Sequence, residues 1–265
     1  MERLGDGREA EIFAWREGQV LRLLKAPIPG QAEREAAAMK AARAAGAPVP
    51  AVHGVVEEDG RPGIVMDRID GPDQIAVLGR RPWRLPAMGR MLGDVHASLH
   101  ETTAPPELPD TRDWLRRRIG GSDLIPGDLA SFALELLEDL PDGDCLCHAD
   151  LHPGNVLLGR DGPVVIDWTG VTKGDAMADL AWTRLLLRVA RPHPSSPRIV
   201  KLAAPMARDV LISRYLRAYG RHRRVDLARA DRWEPVLIAD RVAKGLEEYE
   251  PGLTARLEDY AATRR

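Results

Sequence analysis

The chain has 265 residues, 44% of them hydrophobic and 29% charged, enough to bury a core in one large domain or in two lobes sharing a cleft. With 38 basic against 40 acidic residues the formal net charge is −2, which excludes the cationic surplus of a general nucleic-acid or membrane-surface binder. The longest uncharged stretch, Ala44 to Val56, covers 13 residues and two prolines, short of the roughly 18 apolar residues that span a bilayer.

The chain opens on MERLGDGREAEI, with charges where a signal peptide would carry its apolar core. Glu9 to Trp15 and Gln19 to Leu24 are short apolar runs separated by Arg16-Glu-Gly18, which predicts a hairpin. Gln31 to Ala45 is Ala-rich and ends at Gly46, Pro48 and Pro50, a helix followed by its stop signals. Ala51 to Glu57 and Gly63 to Asp67 predict a second strand pair around Glu58-Asp-Gly60. Beyond Gly71-Pro72 the pattern turns helical, over Trp83 to His100 and Asp128 to Leu140. Cys145 to Cys147, Val156 to Leu158 and Val164 to Ile166 read as very short strands. Almost everything from Ala176 onward is compatible with helix. Flexible loops are expected at Thr103 to Pro109 and Arg191 to Pro197. Cys145 and Cys147, the only cysteines, sit two apart on one strand and are badly placed for a disulfide. A cytoplasmic location is expected.

The stretch His148-Ala-Asp150-Leu-His152-Pro-Gly-Asn155 fits the pattern H-x-D-L-x-x-x-N, and Asp167 follows twelve residues after Asn155, at the end of the apolar run Val164-Val-Ile166. Chemistry explains the spacing. A carboxylate (Asp150) must accept or orient the proton of an attacking hydroxyl. An amide oxygen one turn away (Asn155) must reach a metal, and a second carboxylate (Asp167) must bridge that metal to nucleotide phosphates. Two other readings compete. His148, Asp150 and His152 alternate and could ligate zinc, which leaves Asn155 and Asp167 unexplained. A polar turn between core strands leaves the isolated Asp167 unexplained.

These motifs resemble the aminoglycoside phosphotransferase and choline-kinase-like family, small-molecule kinases with the protein-kinase fold. HADLHPGN resembles the family's catalytic loop, and Ile166-Asp167-Trp168 stands where protein kinases carry DFG. Gly174-Asp175 through Asp179-Leu-Ala181 resembles its G-D-x-x-x-D-L-A segment. The resemblance implies a two-lobe α+β protein-kinase-like fold. A small β-rich N-lobe (residues 1–70) would bind nucleotide, with a hinge near 66–71, and a larger helical C-lobe (72–265) would carry the catalytic loop 148–155 and the acceptor pocket. It further implies ATP or GTP as co-substrate, Mg²⁺ on Asn155 and Asp167, and transfer of the γ-phosphoryl group to a hydroxyl of a small molecule oriented by Asp150.

Further roles follow by resemblance. Gly5 and Gly7 would cover phosphates, Ile12 and Met66 would pack on adenine, and backbone groups of Asp67 and Ile69 would bond its edge. His148 and Asp179 would brace the catalytic loop, while His152 would assist at the γ-phosphate. The family's phosphate-gripping Lys is replaced by Arg22, with Lys25 three residues on and Glu35 at the helix glutamate position. Residues 22 and 25 have opposite parity on a strand, and Arg22 is the better placed of the two for Glu35. The substitution keeps open a second expectation, a nucleotide-binding scaffold without turnover. Residues 188–265, where the family builds its acceptor pocket, hold 17 Lys or Arg against 10 Asp or Glu. The expected acceptor is therefore not strongly cationic.

Overall fold

The computed structural model describes residues 1–7, 9–26, 28–190, 198–246 and 250–263. The alternating runs of the first 67 residues form five strands, β1 (Arg3–Asp6), β2 (Ala10–Ala14), β3 (Gln19–Leu24), β4 (Val52–Glu58) and β5 (Arg61–Asp67). They pair antiparallel in the order β1-β2-β3-β5-β4. Gly18 (φ 70°) and Gly60 (φ 72°) turn two of the hairpins in a left-handed conformation that costs other residues strain. The helix α1 (Gln31–Ala44) starts after Gly30, stops before Gly46, and buries Ala32, Glu35, Ala36, Met39 and Ala42. The central strand β3 puts Arg22 opposite Ile12 on one side and Ile64 on the other.

The resemblance implies a phosphate-covering turn that holds Gly5 and Gly7. In the structure Gly5 lies inside β1, paired with Ile12, and the reversal follows it, closed by the Gly7 N–H donating to the Ala10 carbonyl at 2.9 Å. This four-residue edge strand is almost wholly exposed and so leaves no apolar alternation to read.

The rest of the chain is built on helices: α2 (Gln74–Arg80), α3 (Leu85–His100, after a 3-10 turn at Pro82–Arg84), α4 (Thr111–Gly120), α5 (Gly127–Glu138), α6 (Ala176–Val189), α7 (Arg198–Tyr219), α8 (Leu227–Ala243) and α9 (Leu253–Thr263). Two small antiparallel pairs are set among them: β6 (Cys145–Cys147) with β9 (Thr172–Gly174), and β7 (Val156–Gly159) with β8 (Gly162–Val165). The connector after β5 is pressed onto β7. The Leu158 N–H donates to the Pro72 carbonyl at 2.9 Å, and Gly71 lies so close to the Leu158 backbone that no Cβ would fit. The Val165 N–H reaches the Pro48 carbonyl at 2.7 Å, a second tie between the two parts.

Helices α2 and α4 escape the sequence reading because α2 buries one residue and α4 three, in a charge-dense segment. The expected loop Thr103 to Pro109 is irregular but anchored, with the Ala104 N–H on the Asp144 carbonyl at 2.8 Å and Leu108 buried. The other expected loop, 191–197, lies outside the described residues. Among the described residues no helix is long and apolar enough to cross a membrane.

Candidate active site

The loop after β6 begins with a strained residue. Ala149 holds φ 59° and Asp167 φ 64°, left-handed values that a residue with a Cβ adopts at a cost of about 1–2 kcal/mol. Both flank the same cleft. Asp179, near the start of α6, locks the first: its Oδ2 accepts from the His148 N–H at 2.7 Å and its Oδ1 from the Ala149 N–H at 2.8 Å. On the far side of Asp150, the Thr183 hydroxyl donates to the Leu151 carbonyl at 3.0 Å. Asp150 is thereby held from both neighbours.

Asn155 turns its amide nitrogen back on the loop, donating to the Asp150 carbonyl at 2.9 Å and to Asp150 Oδ2 at 3.3 Å. Its one acceptor, Oδ1, has no protein donor among the described residues. Asp167 accepts at Oδ1 from Arg22 Nη2 (2.9 Å) and from the Thr169 hydroxyl (2.5 Å), and Arg22 Nη2 also donates to Thr169 Oγ1 at 2.8 Å. On the other side Arg22 Nη1 lies 3.1 and 3.2 Å from the two oxygens of Glu35. The buried Arg22 thus joins α1 to the Asp167 turn through one guanidinium, using the fork that an ammonium lacks. Lys25, just past the end of β3, points elsewhere: it binds Asp6 Oδ1 at 2.5 Å and the Gly7 carbonyl at 2.7 Å on the exposed edge.

Two carboxylates share this one cation, the cation felt at Asp150 is Arg241, itself paired to Glu250, and the ionisation of the three acids reflects the shortage. Burial, aided by the charge of Asp167, pushes Asp150 up to about 7, although 42% of its side chain still faces the cleft. Burial likewise raises Glu35 to about 7 against the pull of Arg22. At Asp167 burial works in the same direction but Arg22 and the Thr169 hydroxyl outweigh it, so this carboxyl falls below its ordinary value. A hard divalent cation prefers carboxylate and amide oxygens. The unused Asn155 Oδ1, the anionic Asp167 and the surplus negative charge fit such an ion.

His152 is not a cation here. Burial lowers it to about 4, its Nδ1 accepts from the Gly154 N–H at 3.0 Å, and its Nε2 lies 3.9 Å from Asp150 Oδ2. His148 is buried, pushed below its ordinary value by that burial, with Nε2–H on the Ile166 carbonyl at 3.1 Å and its ring edge against Trp168. The alternating triad His148, Asp150, His152 therefore does not converge, because the strand ends at Cys147 and the two imidazoles are engaged separately. Zinc ligation by these three is ruled out on geometry.

On the sheet side, Met66 is buried across β3 from Val20, and Ile12 is half-buried on the neighbouring strand. The Asp67 side chain is spent locally on the Ala51 N–H (3.2 Å) and His53 Nε2 (2.7 Å), leaving only backbone for an edge contact. Ile69 lies in the connector, beside Gly159. Gly5 and Gly7 sit where β1 gives way to the turn, and the adjacent Glu9 carboxylate is close enough to raise both Glu35 and Asp150. Sequence reasoning missed Thr169, Thr183 and the buried pair His96 and His100, which contact Asp179. A four-residue spacing of histidines on an otherwise apolar helix face was the available signal for the last two.

The comparisons with known proteins agree with this geometry. A probable ketoamine kinase of Thermus thermophilus is 31% identical over 194 residues, which cover 64% of this chain and 68% of that protein. Among solved structures, aminoglycoside-3'-phosphotransferase of type VIII superposes with a TM-score of 0.63 at 22% identity, covering 90% of this chain and 93% of that one. The aminoglycoside phosphotransferase APH(3'')-Id of Streptomyces rimosus gives 0.59 at 17% identity, covering 90% and 92%. At such identities these two establish the shared protein-kinase-like fold. The scaffold reading finds no support among them. A family model described as the phosphotransferase enzyme family matches residues 1–233, and the chain belongs to that family as a small-molecule phosphotransferase.

Proposed function

We propose that the chain transfers the γ-phosphoryl group of ATP or GTP to a hydroxyl of a small molecule, with Asp150 as the group that orients and deprotonates that hydroxyl. The observation that carries this reading is the shortage of positive charge in the cleft: Arg22 is shared between Glu35 and Asp167, and the cation felt at Asp150, Arg241, is itself forked onto Glu250. Asn155 and Asp167 would hold Mg²⁺, which would neutralise the phosphate oxygens when bound. Arg22, braced by Glu35, steadies the α/β-phosphates. Asp150 with a pKa near 7 is a base matched to neutral pH. A neutral His152 cannot supply charge to the γ-phosphate. Its Nε2–H instead faces the loop from the Asp150 side. In support of a nucleotide, the Streptomyces rimosus relative has been solved with ADP and streptomycin.

The acceptor is a polyhydroxy compound carrying at most one cationic amine, with a ketoamine the leading class. The Thermus relative points to it by name. An acceptor panel reading ADP release tests this. Saturable turnover of a fructosamine such as 1-deoxy-1-(methylamino)-fructose, with kanamycin inert, is the expected result. Efficient saturable turnover of kanamycin would overturn the acceptor class.

A further inference from the structure

One face of α3 carries Gly89, Gly93, His96 and His100, spaced four, three and four residues apart. The two glycines let α7 approach closely. A Cβ at Gly89 would meet the Leu211 carbonyl at 2.7 Å, and one at Gly93 would collide with the Tyr215 carbonyl and the Tyr219 nitrogen. That proximity brings two phenols into reach. The Tyr215 hydroxyl lies 2.7 Å from His96 Nδ1, and the Tyr219 hydroxyl 2.7 Å from His100 Nδ1. Both Nε2 atoms then converge on Asp179 Oδ2, at 3.1 and 3.2 Å. All five side chains are essentially shut off from solvent.

The proton positions follow from the inventory of donors and acceptors. Ionised Asp179 only accepts, so each Nε2 carries a hydrogen and donates. Burial holds His100 down near 4, so this ring is neutral, its Nδ1 is a lone pair and the Tyr219 hydroxyl donates to it. The Tyr215 hydroxyl is paired with His96 Nδ1 at the same distance. Burial opposes ionisation of Asp179 as well, but the two histidines reverse it and hold the carboxyl well below its ordinary value. Two Tyr–His chains thus terminate on the same carboxylate that clamps the N–H groups of His148 and Ala149, beside the strained φ of Ala149.

We propose that the Tyr215–His96 and Tyr219–His100 pairs are positioning residues for phosphoryl transfer: they fix Asp179 as a clamp on the catalytic loop, so that α7, through α3, sets where Asp150 stands. The proposal rests on the reading of Asp150 given above.

The test uses the full chain and two readouts: hydrogen–deuterium exchange of the catalytic-loop peptide, which needs no substrate, and ADP release from Mg·ATP with water or the methylamino-fructose as acceptor. The Tyr215→Phe/Tyr219→Phe double variant removes only the two hydroxyls and keeps the shape. His96→Leu and His100→Leu remove the donors to Asp179, and His100→Gln restores one. Gly93→Ala pushes α7, with its two tyrosines, away from α3 without removing any polar group. We expect loop exchange to quicken and kcat to fall roughly tenfold in the Leu, Phe and Ala variants, the scale of a hydrogen bond to a buried charge. Nucleotide Kd should stay unchanged and Gln should rescue. Unaltered loop protection in the Phe double variant and in Gly93→Ala overturns the proposal, whatever the activity. Faster exchange with normal kcat overturns it too, since the clamp would then be structural only. A stoichiometric metal in the purified protein that is lost in the Leu variants would replace the hydrogen-bonded reading with ligation by His96, His100 and Asp179. If Asp150→Asn turns over like the parent, it is the mechanism of the previous section that fails, and loop exchange still reports on the clamp.

Discussion

Two groups of buried charge lie on either side of the catalytic loop, and they are solved in opposite ways. At Asp179 both carboxylate oxygens are engaged: two peptide N–H groups and two imidazoles meet one carboxylate, whose proton affinity drops far below normal. Around Arg22 the sum does not close. Glu35 and Asp167 share one cation, Asp150 beyond them has no ion pair with it, Glu35 and Asp150 are raised to about 7, and Asn155 keeps its side-chain acceptor unused. A self-satisfied network rigidifies, whereas an under-neutralised one is a binding site. The contrast separates what holds the loop from what the loop is for.

The contrast can be broken most severely at Asp150. Asp150→Asn keeps shape and much of the hydrogen bonding but loses basicity, so turnover should fall by roughly two to four orders of magnitude. Nucleotide Kd should hardly move, as measured by titration beside ADP release. Next in size is the cation. Arg22→Ala strands Glu35 in the interior, a loss of about 3 kcal/mol, near the low end for a broken buried pair because Glu35 can take up a proton. Arg22→Lys keeps the charge but cannot span Glu35 and Thr169 as well as Asp167 through one fork. Chemical denaturation should rank it between parent and Ala.

A smaller effect concerns pH. Glu35 and Asp150 keep protons up to about pH 7 in the folded chain, whereas unfolded acids lose them near pH 4. The buried His100 and His152, held near 4, act in the opposite sense across that window, but the two acids bind more protons in the folded state and contribute stability that is lost as pH rises from about 4 to about 7. Asp240, raised to about 6 by burial, adds to the contribution of the acids. Denaturation midpoints at pH 5 and 8 isolate the Glu35 share: relative to the parent, Glu35→Gln should shift the change between the two pH values toward higher stability at pH 8. The smallest change expected is at Lys25, whose partners are exposed. Lys25→Ala should leave Tm unaltered and nucleotide affinity within about twofold. A large loss of affinity there would move the phosphate contact from Arg22 to Lys25.

The β-strands with buried alternation, the Ala-rich helix and the HADLHPGN and IDW segments were legible because each is local: a period, a cap or a fixed spacing. Parity separates Arg22 from Lys25 and the spacing to Glu35 favours Arg22, and the structure puts the two on different sides of the strand's end. What could not be read is what depends on approach between distant elements. The pairing of His96 and His100 with Tyr215 and Tyr219 spans 119 residues and needs Gly89 and Gly93 to admit α7. The cations of residues 188–265 are also not all free to face an acceptor. Arg188 and Arg256 meet in Glu234, Arg229 binds Asp175, and Arg241 forks onto Glu250, so these four are spent inside the fold.

The charge deficit of the cleft is the central claim, and thermal shift of the parent protein reads it directly. The conditions are ATP alone, Mg²⁺ alone and both together, beside Asp167→Asn. ATP brings more negative charge to a site already short of cations, so ATP alone should stabilise little, and ATP with Mg²⁺ should raise Tm strongly. In Asp167→Asn most of that increment should vanish. Equal stabilisation by ATP with and without Mg²⁺, or an undiminished increment in Asp167→Asn, would contradict the account.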